Sequence, residues 1–228
     1  MTEPFLRCSR FPVWVGALLL GLVVALSAGE TSVTTVWKMD DVAGVGGQAT
    51  EVLGAPCVVD GAVVFDGKQD GIFVPEIPIA GARQFTIEVW FNPAEGGGEA
   101  QRFLHLEDTN TWRALIEIRL NGRGGWWLDT YMWTGPRPTD HGLTLIDPKR
   151  VHPTNRWHWV ALRYDGKTMA HFVNGEQELE GAGRFEVFAK GKTSLGVRQN
   201  RVYWFKGAIR EVRFTRAALP AEKLQRLK

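Results

Sequence analysis

Apolar and polar residues alternate along most of the chain after residue 30, with the period of two that is typical of β-strands. In the segment FTIEVWF (85–91) every second residue is large and apolar, while Thr86, Glu88 and Trp90 fall on the opposite face. The apolar runs are short, and glycine, proline, asparagine or aspartate interrupts them roughly every 8 to 12 residues. This pattern predicts about eleven short strands and an all-β fold, a two-sheet antiparallel sandwich.

The segment WHWVALRYDGKTMAHFVNGE (157–176) carries the strongest local signal. Its dipeptides Asp165-Gly166 and Asn174-Gly175 suit tight hairpins because their residues tolerate positive φ, so the segment predicts three successive antiparallel strands. The first strand places His158, Val160, Leu162 and Tyr164 on one face and Trp157, Trp159, Ala161 and Arg163 on the other. Large side chains on both faces indicate a strand within a sandwich, with a partly covered outer surface.

The end of the chain predicts a β-bulge and a short helix. In the strand Trp204 to Phe214 the alternation changes phase: Phe205, Gly207 and Ile209 fall on one face of a regular strand, whereas Val212 and Phe214 would fall on the other. A slip of one residue is what a bulge near Arg210 and Glu211 would produce. Pro220 to Leu227 reads as a short C-terminal helix with proline at its start.

Residues 1–29 have the composition of a targeting segment. Arg7 and Arg10 precede an uncharged run of 19 residues from Phe11 to Gly29, which ends in small residues. This pattern is typical of a cleaved signal peptide, but the run also reaches the lower limit for a membrane-spanning helix, so an N-terminal anchor through residues 11–29 stays an alternative. Both interpretations place residues 30–228 outside the cytoplasm, whether secreted, periplasmic or anchored facing outward.

The composition of residues 30–228 predicts a single domain without an internal disulfide. With 44% hydrophobic residues, residues 30–228 are long enough for a single large sandwich. Net charge is +2, with 27 basic and 25 acidic residues interspersed, which gives no electrostatic case for a nucleic-acid partner. Cys8 precedes the apolar run, so Cys57 has no partner for an internal disulfide, and we expect it to be a buried small apolar residue.

Patterns that would indicate an enzyme are absent from the sequence. There is no nucleophile elbow, zinc-binding helix or phosphate-binding loop, and the five histidines (105, 141, 152, 158 and 171) have no ligand spacing. A retaining glycosidase needs two carboxyl groups about 5 Å apart, but Glu117 and Glu88 are each the single carboxylate of their strands. We therefore expect a non-catalytic protein with no required cofactor.

Aromatic residues near predicted loops are the candidate ligand-binding residues. They are Trp112, Trp126, Trp127, Tyr131, Trp133 and Trp204, with Tyr203 beside the last. Indole rings stack on the apolar face of a sugar, and polar partners for its hydroxyl groups are available from Arg113, Asn121, Arg123, Asp129 and Asp140. The alternative is that these rings fill the core. Trp126 and Trp127 are neighbours on one strand and must point to opposite faces, so one of them should lie outside the core.

The segment from Thr134 to Asn155 is the longest connection, and it contains four prolines (136, 138, 148 and 153). A connection of this length in a compact domain is usually functional or disordered. Because prolines limit the freedom of the unfolded chain, we expect an ordered cover with little regular structure.

Four segments in this order resemble the laminin-G-like (LamG) jelly roll of the concanavalin A-like lectin and glucanase superfamily. They are FDGKQDGIFVP (65–75), FTIEVWFNP (85–93), the three-strand segment 157–176, and FKGAIREVRFTRAALPAEKL (205–224). The resemblance covers the chain from about Trp37 onward and implies two antiparallel sheets packed face to face. It also implies a possible calcium ion held by Asp66, Asp70 and Glu211, although Arg210 stands where relatives often have a carboxylate. Without calcium, Asp66 and Asp70 are ordinary turn residues.

The sequence leads to a first hypothesis and two alternatives. The first is an exported, non-catalytic, lectin-like module that binds a glycan or polysaccharide through exposed aromatic residues. An alternative is a protein-interaction, adhesion or envelope-structural domain that binds a surface protein and is held by an uncleaved N-terminal helix. A divergent glycoside hydrolase would require two carboxyl groups that face each other in a groove.

Overall fold

The computed structural model describes residues 32–135 and 142–227, which form two packed antiparallel sheets. The strands are β1 (Thr34–Lys38), β2 (Glu51–Leu53), β3 (Cys57–Val59), β4 (Ala62–Asp66), β5 (Gly71–Val74), β6 (Phe85–Pro93), β7 (Ala100–Asp108), β8 (Arg113–Leu120), β9 (Gly125–Trp133), β10 (Leu143–Ile146), β11 (His152–Pro153), β12 (His158–Tyr164), β13 (Thr168–Val173), β14 (Glu176–Ala182), β15 (Gly191–Leu195) and β16 (Lys206–Thr215). The predicted all-β sandwich is confirmed.

Each sheet contains eight strands, and strands distant in sequence lie side by side. Sheet 1 has the order β14-β13-β12-β6-β16-β4-β3, and β1 also pairs with β16. Sheet 2 has the order β10-β9-β8-β7-β15-β5-β2, and β11 also pairs with β9. Chain-distant neighbours such as β6 and β16 are typical of a jelly roll rather than of a simple meander.

The predicted export segment, residues 1–29, lies outside the described residues. Within residues 32–135 and 142–227 we find no helix long and apolar enough to cross a membrane.

Aromatic rings from both sheets meet in the core. Phe91 of sheet 1 stacks on Phe103 of sheet 2, with ring centroids 4.5 Å apart and planes only 7° from parallel. Phe205 and Trp126 approach the same ring at 6.1 and 5.2 Å. Each large side chain removed from water contributes roughly 1.5–3 kcal/mol, so this cluster is a major source of cohesion between the sheets.

The predicted hairpins and bulge are confirmed. Asn174 and Gly175 have φ of 51° and 84°, and Gly166 has φ of 94°, as those turns require. The Asp165 carboxylate accepts the backbone N–H groups of the two residues that close its turn. On β16 the register against β6 shifts between Ile209 and Glu211, which restores the inward phase of the apolar residues that follow.

Three local predictions were wrong. Residues 220–227 form only a 3₁₀ turn at Ala221–Lys223, because Leu224 must leave the turn in extended conformation to pack on the outer face of sheet 1. The long connection 134–155 contains β10 and β11, both of which pair with β9. Cys57 is exposed because β3 is the edge strand of sheet 1.

A polar cluster links the two sheets at one end of the core. The Nδ1 atom of His171, which is almost fully buried, lies 3.0 Å from the hydroxyl group of Thr130 in the opposite sheet. Glu178 lies 3.9 Å from Nε2 of His171 and 2.7 Å from Nε2 of His152. Burial, followed by the nearby His152, lowers the pKa of His171 to about 4, so its ring is neutral at pH 7.

Candidate functional site

The outer face of sheet 2 is built by alternate residues of its central strands. On β8, Ala114, Ile116 and Ile118 point into the core. The intervening residues therefore point outward, and those of β8 and β9 are Arg113, Leu115, Glu117, Arg119, Trp127, Asp129, Tyr131 and Trp133. Charged and aromatic side chains thus share this face, and several of them, including Glu117, Asp129 and Trp133, are largely shielded by their neighbours.

Cross-strand pairing brings these outward residues into rows. Glu117 stands opposite Asp129, and Arg119 stands opposite Trp127. On the other side of β8, Arg102 of β7 stands opposite Glu117. Side chains that face each other across a ladder are within contact distance, so the register itself assembles a charged cluster.

Arginines hold the two central carboxyl groups. Nη2 of Arg102 lies 3.0 Å from Oε2 of Glu117, and Nη2 of Arg119 lies 2.7 Å from Oδ2 of Asp129. The same Arg119 nitrogen lies 3.7 Å from Oε2 of Glu117, so it contacts both acids. Both carboxyl groups are more than nine-tenths buried by their neighbours.

Burial and crowding perturb the protonation of Glu117. Burial, followed by the negative charge of Asp129, raises the pKa of Glu117 to about 7. The positive charges of Arg102 and Arg119 oppose this shift without cancelling it. Near neutral pH a proton on Glu117 is therefore gained or lost easily.

A second ionisable pair lies one row away. His105 is 1% exposed, and its Nδ1 accepts the backbone N–H of Gln199 at 3.0 Å, so the neutral ring carries its proton on Nε2. That nitrogen faces Glu107 at 3.4 Å. Burial lowers the pKa of His105, and the interaction with His105 lowers the pKa of Glu107. This end of the face therefore carries one stable negative charge, 3.9 Å from Arg113.

Adjoining depressions cross this face and its rim. The charged groove between Arg102, Arg198 and Tyr131 has a volume of about 190 Å³. It shares Arg119 with a depression of about 520 Å³, which in turn shares Glu99 with a cleft of about 820 Å³ at the loop end. Because neighbouring depressions share lining residues, they offer one path for an extended ligand.

The structure separates the six predicted ligand-binding aromatics into two groups. Trp127 lines the large cleft, Trp204 lines the middle depression beside Tyr203, and Tyr131 lines the charged groove. Trp133 points outward but is only 3% exposed, with the Arg113 guanidinium 5.4 Å from its ring centre. Trp112 packs against the edge of the core.

Trp126 is a correction to the sequence prediction. Its ring is fully buried, meets Phe91 edge-on at 5.2 Å and donates its N–H to the carbonyl of Pro153 at 3.1 Å. A ring in this position fills the core and has no face for a sugar. The prediction that Trp126 and Trp127 point to opposite sides of their strand was nevertheless correct.

The predicted polar partners of the aromatics also have different positions. Asn121 lines the large cleft, where its side-chain oxygen accepts the N–H groups of Arg123 and Gly125. Asp129 belongs to the charged groove. Asp140 lies outside the described residues.

The three residues proposed for calcium do not form a site. One oxygen of Asp66 accepts three backbone N–H groups of its own turn, and Asp70 accepts those of Ala55 and Asp66. Burial by itself would raise the pKa of Asp66, but the three backbone N–H groups lower it below its ordinary value. Asp66 pairs with Lys206, so Glu211 is five residues further along β16, roughly 16 Å away.

Glu211 has partners of its own, Lys38 and Arg213. Within residues 32–135 and 142–227, no group of three or more histidine, cysteine or acidic residues is placed to hold a metal. Calcium needs several oxygen ligands free to face the ion, and these side chains do not fit that requirement.

Arginines are the site residues that the sequence prediction missed. Arg102, Arg119 and Arg198 all line the charged groove. A signal was present in β8, where Arg113, Glu117 and Arg119 occupy alternate positions opposite the apolar ones. Charges at that spacing mark a polar outer face, and arginine is well suited to bind anions there.

A family comparison matches most of the described domain. Residues 66–225 match the model of a family described as the concanavalin A-like lectin/glucanases superfamily. Among curated proteins, none matches this chain.

Solved structures show the same fold at low sequence identity. Domain 4 of AbnA, a GH43 extracellular arabinanase from Geobacillus stearothermophilus in complex with arabinotriose, is 21% identical with a TM-score of 0.59, over 84% of this chain and 96% of that one. The Ruminococcus gnavus IT-sialidase CBM40 bound to alpha2,3 sialyllactose is 18% identical with a TM-score of 0.52, over 75% and 95%. The binding domain of Paraclostridial Mosquitocidal Protein 1 is 14% identical with a TM-score of 0.62, and this chain covers 50% of it.

Proposed function

Because the chain belongs to the concanavalin A-like lectin/glucanase superfamily, we propose that it is a non-catalytic module that binds a glycan or polysaccharide outside the cytoplasm. The binding surface is the outer face of sheet 2 together with the large cleft at its loop end. Domains of this fold occur with arabinotriose and with sialyllactose, and one of them belongs to an extracellular enzyme. These likenesses support a sugar ligand without identifying it.

The observation that carries the proposal is the position of Trp127. Its half-buried ring forms a wall of the cleft of about 820 Å³, and Glu95, Glu99 and Asn121 provide polar groups around it. A sugar ring stacks its C–H face on indole while its hydroxyl groups bind polar partners. The indole N–H of Trp127 is shielded from water, so a sugar would contact Trp127 through the face of its ring.

The state of the two facing carboxyl groups supports binding without catalysis. Hydrolysis of a glycosidic bond requires one acid to donate a proton to the leaving group and the other to act on the sugar. Here Asp129 is engaged by Arg119, and Glu117 is engaged by Arg102. Both carboxyl groups are more than nine-tenths buried and lie within 4 Å of arginine nitrogens, which leaves little carboxyl surface for a sugar to reach.

Binding of the full chain to a broad glycan and polysaccharide array tests the proposal. We expect Trp127→Ala to weaken retention of the ligand about tenfold, as expected for loss of a stacking contact. Trp157→Ala is the matched control, because Trp157 is a half-buried tryptophan on the outer face of sheet 1. Absence of binding across the array, or equal binding by the parent and Trp127→Ala, would argue against the proposal.

A surface protein is the second candidate partner, and one feature of sheet 1 favours it. Trp90 stacks on Trp159 at 5.5 Å, and the guanidinium of Arg210 lies 4.4 Å from the ring centre of Trp157. Tryptophan and arginine are enriched at protein interfaces. If this alternative is correct, Trp157→Ala weakens capture of a partner by the full chain and Trp127→Ala does not. Cell fractionation then tests anchoring through residues 11–29, since an anchored chain stays full length in the membrane pellet.

A further inference from the structure

We propose that the charged groove on the outer face of sheet 2 binds an anionic substituent of the glycan, so that the ligand is an acidic rather than a neutral polysaccharide. This inference rests on the proposed glycan-binding function and specifies the ligand class. The shared chemistry is a planar or tetrahedral oxyanion, which a uronate or sialate carboxylate or a sulfate ester would each provide.

The groove has an excess of positive charge. Four arginines line it (Arg102, Arg113, Arg119 and Arg198), whereas its acidic lining residues are Glu117 and Asp129. Asp129 neutralises Arg119 through two nitrogens at 2.7 and 2.8 Å. Glu117 is the partner of Arg102. Glu107, at the rim, approaches Arg113 no closer than 3.9 Å.

Arg198 is the arginine of this groove that has no carboxylate within 4 Å among the described residues. It is half-buried on the segment between β15 and β16, and within the described residues its guanidinium forms no hydrogen bond and no ion pair within 4 Å, although its charge acts on Glu107 and Glu117 from a greater distance. A guanidinium held partly out of water without a partner costs free energy, which a bound anion would recover. The charge of Arg198 is therefore available to a ligand.

Unused N–H groups point to the same conclusion. The Nε and Nη1 atoms of Arg102 and the Nε atom of Arg113 are shielded from water and have no hydrogen-bond partner in the described chain. Stacking holds Arg102 in place, since its guanidinium lies 3.7 Å from the centre of the Tyr203 ring. Because these N–H groups have almost no accessible surface, an anion would interact with the positive charge that Arg102 holds at the groove wall, and a fixed guanidinium suits carboxylate and sulfate oxygens.

The surrounding groups fix how the groove should respond to pH. Arg102, Arg113, Arg119 and Arg198 line the groove, and Asp129 is paired with Arg119. His105, which faces Glu107 at the next row, is kept neutral at pH 7 by burial. Glu117 is the group that changes, because its pKa is raised to about 7. Protonation of Glu117 removes a negative charge that would repel the ligand.

Matched pairs of ligands test the proposal with the full chain. The probes are oligogalacturonate and its methyl ester, sialyllactose and lactose, and sulfated and unsulfated galactan. We expect the charged member of at least one pair to bind about tenfold more tightly than the neutral one, as expected for one hydrogen-bonded charge pair. The pairs distinguish a carboxylate from a sulfate ester. Equal binding within every pair would overturn the anion proposal while leaving glycan binding intact, and no binding to any probe would overturn both.

Arg198→Gln is the informative variant, because Arg198 takes part in no internal ion pair and its loss should leave folding unchanged. We expect Arg198→Gln to lose most of the preference for the charged ligand. The control is Arg201→Gln, which removes the same charge three residues away, where Arg201 pairs with Glu51 at 59% exposure of its side chain. A similar loss in both variants would indicate general electrostatic attraction and would overturn the assignment to the groove.

Titration gives a second readout. Affinity for the charged ligand should rise several-fold as pH falls from 8 to 6. A carboxylate on the ligand stays ionised over this range, because the pKa of a free carboxyl group is about 3.5. Glu117→Gln should bind with the affinity of the low-pH form at both pH values. A parent protein whose affinity is unchanged across this range would contradict the role given to Glu117.

Discussion

Glu117 and Asp129 stand directly opposite each other on β8 and β9, and one nitrogen of Arg119 contacts both carboxyl groups. Like charges in this relationship repel, and here both groups are also buried. Burial, followed by the negative charge of Asp129, raises the pKa of Glu117 to about 7. Glu117 is therefore the group that takes up a proton near neutral pH.

Glu117→Gln should stabilise the protein above pH 7. The pKa of Glu117 is about 7 in the folded state and about 4.5 as the ordinary value, so the folded state binds this proton more tightly than the unfolded state. In the parent, the stabilisation that this proton gives to the folded state is complete below pH 4.5 and is lost as pH rises through 7. Its full size is about 3 kcal/mol. Urea unfolding of the parent and the variant at several pH values between 4.5 and 8 measures the difference.

The control for that experiment is Glu99→Gln, which neutralises an exposed carboxyl group on the loop before β7. This variant therefore controls for the loss of one negative charge at the surface. If the Glu117→Gln curve stayed parallel to that of the parent, the raised pKa would be wrong.

His171→Gln should have the opposite effect on the pH dependence of stability. The pKa of His171 is lowered to about 4 from an ordinary value of 6.5, so the unfolded state takes up this proton first as pH falls. The neutral ring contributes about 3 kcal/mol to the free energy of unfolding above pH 6.5, and this contribution is lost as pH falls through 4. The parent should therefore lose more stability on acidification than His171→Gln, measured by urea unfolding between pH 4 and 7. Equal losses would contradict the assignment.

The fold was predictable from the sequence where local and long-range signals agreed. The Asn174-Gly175 turn and the alternation in residues 85–91 each specify a strand boundary or a face by themselves. The bulge at Arg210 was visible because the core requires apolar residues on one face both before and after it. The packing of two antiparallel sheets face to face came from the resemblance to a known family, and the order of strands within each sheet was not predicted, since periodicity carries no information about which strands pair.

Other features depended on tertiary contacts that no local pattern encodes. Residues 143–146 form β10 because β9 offers them an open edge, although the surrounding prolines indicate a loop. Pro220 to Leu227 does not stay helical because Leu224 reaches the apolar patch around Phe172. The charged groove likewise requires knowledge of register, since Glu117 and Asp129 meet only when β8 and β9 pair as they do.

Trp126 and Trp127 should give opposite results when each is replaced by alanine. Trp126 is fully buried among aromatic rings, so Trp126→Ala should lower the free energy of unfolding by about 3–5 kcal/mol. Trp127 lines an open cleft, so Trp127→Ala should cost about 1 kcal/mol or less while weakening ligand binding. Urea unfolding at pH 7 measures both, and similar losses in the two variants would contradict the division between core and site.

Gly196→Ala should destabilise the protein more than an alanine substitution at another left-handed glycine. Gly196 has φ of 79°, and an added Cβ would lie 2.3 Å from the ring of Phe65. Gly61 has a similar φ of 71° but open space around the same position, so Gly61→Ala isolates the backbone strain. We expect about 1 kcal/mol for Gly61→Ala and a further 1–3 kcal/mol for Gly196→Ala, measured by urea unfolding. Equal costs would show that Phe65 moves aside without penalty.

Asp70→Ala should destabilise the turn between β4 and β5 to the same extent with and without calcium. The carboxylate of Asp70 is 6% exposed and accepts the N–H groups of Ala55 and Asp66 at 2.8 and 3.0 Å. Removing this acceptor takes a hydrogen bond from the N–H groups of the exposed Ala55 and the half-buried Asp66, which costs about 1 kcal/mol. Thermal unfolding of the parent and the variant, each in calcium and in EDTA, measures the effect. A calcium-dependent rise in the Tm of the parent that disappears in Asp70→Ala would show instead that this carboxylate holds an ion.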